Sequence, residues 1–154
     1  MNSTPQDYLA VRFRRLPENL DIPLPVRATS DSAGYDVRSS EVDFLLQPGE
    51  MRAVGTGLVL ELPPGLECQV RPRSSLALRH GITLPNAPGT IDPDYRGEVK
   101  VILLNQGRQP VRIVRGERIA QLVFAWFQMP KVVEVTEVSE SERGQGGFGS
   151  TGRD

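Results

Sequence analysis

One cysteine and one histidine stand in a chain of 154 residues, and the scarcity of each removes a class of chemistry. Cys68 has no second thiol to pair with, so no internal disulfide staples the fold, and a reducing, cytoplasmic setting is the simplest expectation. Leu66 and Val70 share its face in an extended chain, which marks Cys68 as a buried packing residue instead of a nucleophile. His80 alone builds none of the usual zinc sites and no Ser-His-Asp or Cys-His pair of any obvious spacing. No apolar run approaches the roughly 20 residues of a membrane span, and the polar stretch Met1 to Asp7 lacks a signal-peptide core. Charge of one sign is missing too: 18 Lys and Arg face 19 Asp and Glu, for a net charge of -1. Without a basic field of the kind that binds duplex nucleic acid, any phosphate must be gripped locally. A hydrolase with this inventory works with carboxylates and a hard cation.

What the chain does have is proline and glycine, 13 and 15 of them, set between short hydrophobic runs. Leu9 to Phe13, Val42 to Leu46, Met51 to Leu62, Leu66 to Val70, Val99 to Leu104, Val111 to Val114, Ile119 to Phe127 and Val132 to Val138 alternate or are β-branched, which predicts strands. Turn sequences such as Gln47-Pro48-Gly49-Glu50 and Pro63-Pro64-Gly65 separate them at spacings typical of a sandwich or jelly roll. One short helix is predicted, Ser74 to Arg79, after Pro72 and before Gly81. The fold expectation is therefore all-β, in a single domain by length. Composition changes after Val138: Ser139 to Asp154 has no large aliphatic residue, and Phe148 is its only bulky side chain. The division expected is a β domain over 1–138 and a flexible glycine-rich C-terminal arm over 139–154.

Four segments besides the arm carry chemistry. Asn86 to Val99 gathers Asp92, Asp94, Tyr95 and turn glycines into a polar knot between strand-like runs, where one carboxylate can act on water and the tyrosine offers a flat face. Arg71-Pro72-Arg73-Ser74-Ser75 sets guanidinium groups and hydroxyls at a helix start, a donor set suited to polyphosphate. Ser32 to Val37 holds Asp36 between apolar neighbours, placed to brace an arginine or metal-bound water. In Arg118 to Phe124, Gln121 interrupts an apolar run and needs a partner, while exposed alternation suffices for Arg118. The arm's Gly144 to Gly149 spells a dinucleotide fingerprint, yet no strand leads in and no helix follows; Ser150 also stands where a Walker lysine belongs. What survives is a loop of free backbone N–H groups with Arg143, Ser150 and Thr151, able to wrap an anion.

In this order the segments are familiar. Ala33-Gly34-Tyr35-Asp36, Pro72-Arg73-Ser74-Ser75-Leu76-Ala77, Gly89-Thr90-Ile91-Asp92-Pro93-Asp94-Tyr95-Arg96-Gly97, Arg115-Gly116-Glu117-Arg118-Ile119-Ala120-Gln121 and Arg143 through Gly152 resemble the five motifs of the trimeric dUTP diphosphatase family. The resemblance implies a distorted jelly-roll (β-clip) homotrimer whose sites draw motifs from all three subunits. It implies hydrolysis of dUTP to dUMP and diphosphate with Mg²⁺ held by substrate phosphates and water, supplying dUMP for dTMP synthesis and limiting uracil in DNA. Carried across, Asp92 is the base on water and Asp36 the supporting acid. Arg73, Ser74, Ser75, Gln121, Arg143, Gly149, Ser150 and Thr151 hold phosphates. Asn86, Gly89, Thr90, Ile91, Tyr95, Lys100 and Phe148 receive the nucleoside, with Tyr95 closing the space of a 2′-hydroxyl. No nucleic-acid or membrane partner is implied.

One residue departs from the pattern: Ser75 stands where the family usually has glycine, so a side chain sits where backbone approaches phosphate. The Arg-Ser-Ser triplet also occurs in the related dCTP deaminases, which makes them the alternative enzyme class. Their catalytic glutamate aligns with Ile102, which moves no proton, while Glu98 lies four residues early on the same strand face. A non-catalytic nucleotide-sensing module is the third reading.

Overall fold

Alternation decides which side of several strands turns inward, although Val54 to Leu60 run buried without a break. In the strand that begins at Glu98, Val99, Val101 and Leu103 are buried while Lys100 between them is exposed, and Leu66, Cys68 and Val70 repeat the pattern. The computed structural model describes residues 9–147. Along it run β1 (Arg12–Arg15), a 3₁₀ turn (Pro17–Asn19), β2 (Val26–Arg27), β3 (Tyr35–Arg38), β4 (Phe44–Leu46), β5 (Met51–Glu61) and β6 (Leu66–Arg71). There follow α1 (Ser74–His80), β7 (Ile82–Thr83), β8 (Gly89–Ile91), β9 (Glu98–Asn105), β10 (Val111–Ile113) and β11 (Arg118–Trp126).

The strands form a four-stranded sheet in the order β1-β5-β9-β7, a five-stranded sheet in the order β2-β3-β11-β6-β8, and the pair β10-β4. Every pairing is antiparallel. The inward faces meet in one core built from side chains such as Val37, Leu46, Leu60, Leu103, Ile113 and Leu122; burying each large aliphatic contributes about 1.5–3 kcal/mol. Cys68 lies fully inside it, and burial, with Glu67 nearby as the lesser cause, pushes its thiol up to about 12. It is a packing residue, as its neighbours on the strand indicate.

Most expected strands form within a few residues of their anticipated ends. The run Val132 to Val138 does not: no strand or helix follows Trp126 among the described residues. Val132 is 93% and Val138 84% exposed, because the alternating pattern finds no strand to pair with among the described residues. The short strands β2, β3, β7 and β8 carry too few residues for periodicity to reveal. The stretch between Ile91 and Glu98 joins two sheets. It leaves β8 in the five-stranded sheet and enters β9 in the four-stranded one, so it crosses between sheets.

Candidate active site

Two cavities gather the sequence-predicted residues, and they share none. The first, of about 410 Å³, is lined by Asp36, Arg73, Ser74, Ser75, Arg118 and Gln121 together with Ala28 and Ser32–Gly34. Its floor follows from register. Gln121 of β11 stands opposite Asp36 of β3 on one side and Arg71 of β6 on the other, and directly opposed residues of antiparallel strands project from the same face. Arg73 and the serines arrive just beyond β6, as the chain turns into α1.

Asp36 is half-buried and uses both carboxylate oxygens: Oδ1 accepts from Arg73 Nε at 3.1 Å and Oδ2 from Arg118 Nη1 at 2.9 Å. Arg73 Nη1 also donates to the Arg118 carbonyl at 3.1 Å. Two guanidinium groups that would repel one another are thus held side by side by one acid. Bracing arginines was one of the two roles its sequence context allowed. Gln121 finds its partner as well, donating from Nε2 to the Pro72 carbonyl at 3.0 Å, which ties β11 to the turn before α1. This packing needs Gly34: a Cβ there would collide with Gln121 Oε1. Ser74 and Ser75 open α1 on exposed positions, but the residue at the helix cap is Arg73, and no side chain caps the helix.

The second cavity, of about 300 Å³, is lined by Thr90, Ile91, Asp92, Tyr95, Glu98 and Lys100 with Ala53, Val99 and Ile102. The loop after β8 curls back on itself, with the Tyr95 amide donating to the Asp92 carbonyl at 3.1 Å. Arg96 locks the turn by donating to the Pro93 and Tyr95 carbonyls at 2.6 and 2.9 Å, and Tyr95 Oη donates to the Glu98 carbonyl at 3.0 Å. Asp92 is exposed, and among the described residues no side chain or backbone donor engages its carboxylate. Among those residues the Asp94 carboxylate is unengaged as well, so what separates the two acids is the cavity. Asp94 is exposed and does not line the cavity.

Not every expected residue joins these cavities. Asn86 is exposed and lines neither, its amide lying beside the buried Gly89 of β8. Arg143 donates from Nε to the Gly146 carbonyl at 2.9 Å, within the arm itself. Phe148, Gly149, Ser150 and Thr151 lie outside the described residues. Sequence reasoning undervalued Arg118, which solvent exposure seemed to explain; only the closure of β11 onto β3 puts it beside Asp36. Arg115, by contrast, belongs to the scaffold: it donates to Asp21 Oδ1 at 2.8 Å, to Asn19 Oδ1 at 2.9 Å and to the Ser40 carbonyl. Its hydrogen bond holds Asp21 below the usual carboxylate range, and its backbone N–H does the same for Asp43 with help from Arg112.

A family model described as dUTPase matches residues 21–152, and these span both cavities. The chain belongs to the dUTPase family. A deoxyuridine 5′-triphosphate nucleotidohydrolase of Caldanaerobacter subterraneus subsp. tengcongensis is 48% identical over 145 residues, covering 94% of this chain and 98% of that protein. One from a Thermoanaerobacter species is 46% identical over the same length and the same shares. Among solved structures, the dUTPase of Staphylococcus bacteriophage 80alpha with dUPNHPP aligns at a TM-score of 0.85 and 27% identity, covering 94% of this chain and 99% of that one. The dUTPase jelly roll accounts for the sheet order described above, and both acids, Asp36 and Asp92, fall inside the matched span.

Proposed function

We propose that this chain hydrolyses dUTP to dUMP and diphosphate, and that its working unit is a homotrimer in which the two cavities of different subunits complete one another. The observation that carries the reading is the pairing of an unengaged Asp92 beside Tyr95 with a separate donor-lined cavity around Arg73. Neither cavity alone holds both a base and a phosphate cradle. Val132, Val138 and Leu78, the last 90% exposed on α1, supply apolar surface for association.

In this reading Asp92 takes a proton from water, whose oxygen attacks the α-phosphorus; the bond from that phosphorus to the bridging oxygen breaks, and diphosphate leaves. Arg73, Ser74, Ser75 and Gln121 receive the phosphate chain as hydrogen-bond donors, with Asp36 keeping Arg73 and Arg118 in place. Thr90, Ile91 and Lys100 line the nucleoside side with Tyr95, whose ring closes the space of a 2′-hydroxyl. Asn86, which lies outside the cavity of the single chain, and the backbone from Gly89 through Thr90 and Ile91 read the base. Arg143, Gly149, Ser150 and Thr151 of the arm cover the terminal phosphates, and Phe148 stacks on the base.

The donor set fits a magnesium ion that arrives on the substrate. The phosphate cavity offers guanidinium, hydroxyl and amide donors, and among the described residues no three His, Cys, Asp or Glu side chains converge on one point. Mg²⁺ carried in on the phosphates would neutralise part of their charge, while Arg73, Ser74, Ser75 and Gln121 would hold the phosphate oxygens. The activity would supply dUMP for dTMP synthesis and keep uracil out of DNA. Among the described residues no helix is long and apolar enough to cross a membrane.

Deaminase chemistry is disfavoured by the Asp92 cavity. Ile102 lines it where a proton-transferring glutamate would be needed, and the Glu98 carboxylate accepts from the Gly57 amide. Incubation with dUTP and dCTP, with diphosphate and ammonia assayed separately, tests the reading. Diphosphate from dUTP alone is expected; ammonia from dCTP would replace it with the deaminase reading, and silence in both assays with nucleotide still bound would leave a sensor.

A further inference from the structure

Glu98 is the one carboxylate of the Asp92 cavity to which the proposed reaction gives no task, yet it is the most thoroughly housed. Between the pairs Gly55–Lys100 and Val59–Glu98, β5 inserts Thr56, Gly57 and Leu58 opposite Val99 alone. Such a bulge leaves backbone groups without ladder partners, and buried ones must find others. The Thr56 hydroxyl, fully buried, donates to the Val99 carbonyl at 2.6 Å. The Gly57 amide donates to Glu98 Oε1 at 2.9 Å.

The seat is cut to the carboxylate. Gly57 has φ +68, a conformation that suits glycine, and a Cβ on Gly55 would stand 2.7 Å from Glu98 Oε1. Lys100 Nζ lies 3.8 Å from Oε2, and the Glu98 side chain is only 22% exposed. The backbone carbonyl of this anchored residue is the acceptor for Tyr95 Oη at 3.0 Å. A side-chain clamp at the start of β9 therefore fixes the atom that orients the tyrosine of the loop before it.

We propose that Glu98 is a positioning residue that sets pentose discrimination, its carboxylate seated in the β5 bulge so that Tyr95 is held where a 2′-hydroxyl would lie. The inference rests on the dUTP-hydrolysing reading. An alanine at 98 frees the Gly57 amide and lets the start of β9 shift, which relaxes Tyr95 without removing it. Glutamine keeps an acceptor oxygen and so keeps the clamp.

The test compares kcat/KM for dUTP and for UTP in the wild-type protein and in the Glu98→Ala, Glu98→Gln, Gly55→Ala and Tyr95→Phe variants, with thermal melting in parallel. Expected is a fall of about tenfold in the dUTP:UTP ratio for Glu98→Ala, Gly55→Ala and Tyr95→Phe, near wild-type discrimination for Glu98→Gln, and no further fall in the Glu98→Ala/Tyr95→Phe double variant. Equal losses for both nucleotides, or a lowered melting temperature with the ratio intact, overturn the proposal. Should Glu98→Ala fail to fold, an unchanged ratio in Gly55→Ala overturns it as well. Wild-type protein that turns over neither nucleotide sinks the underlying reading instead, a result distinct from an active enzyme whose ratio ignores Glu98.

Discussion

At the scale of single residues, acids of similar chemistry are sorted by their surroundings. Asp36 is committed to two arginines, Asp21 to Arg115, Glu98 to the Gly57 amide, and Asp94 to solvent. Asp92 is left with an open carboxylate in a cavity that contains a tyrosine and a lysine. Replacement by asparagine preserves shape and removes the proton acceptor. Asp92→Asn is expected to lower kcat for diphosphate release by about two to four orders of magnitude while dUTP binding, read by calorimetry, stays near wild type. Unchanged turnover in that variant would remove Asp92 from the mechanism. The identity of these acids could be read from the sequence, but their ranking could not: an Asp-Pro-Asp turn offers two equivalent carboxylates until the fold shows which one lines a cavity.

Elements divide into those that periodicity announces and those that only pairing creates. β6 and β9 are long enough to show alternation, β5 and β11 stand out as long apolar runs, and the short helix is framed by Pro72 and Gly81. β3 and β8 span only four and three residues, and they exist because β11 and β6 offer them edges. The stretch Val132 to Val138 errs in the other direction, with strand-like alternation and no strand among the described residues to accept it. Beyond it the described part of the arm bonds locally, Arg143 to Gly146 and Gly144 to Ser141, so its removal costs the core no hydrogen bond. Truncation before Arg143 is expected to cut kcat/KM for dUTP by about a hundredfold while the cooperative melt of the β domain is kept. Full activity in the truncated protein would dismiss the arm as a phosphate cover.

For the whole molecule the decisive fact is that Asp92 and the Arg73–Asp36–Arg118 cluster line different cavities. If one site takes Asp92 from one subunit and the arm from another, two inactive proteins can repair each other. Unfolding and refolding Asp92→Asn together with the arm-truncated chain is expected to restore part of the dUTPase activity that each lacks alone. A mixture as inactive as its parents, with mixed trimers verified by mass, would mean that base and arm act from the same chain.

By itself the sequence determined the strand-rich class, the packing role of Cys68, and the order of motifs that ties the chain to its family. Those features depend on composition, on a two-residue period and on local spacing, all written along the chain. Tertiary structure decided the rest. Arg118 joins Asp36 only when β11 pairs with β3, the Asp92 loop crosses from one sheet to the other, and Glu98 gains its role only when β5 bulges around it. Each depends on pairings between residues dozens of positions apart, and a period measured within one strand carries no record of the partner against which it lies.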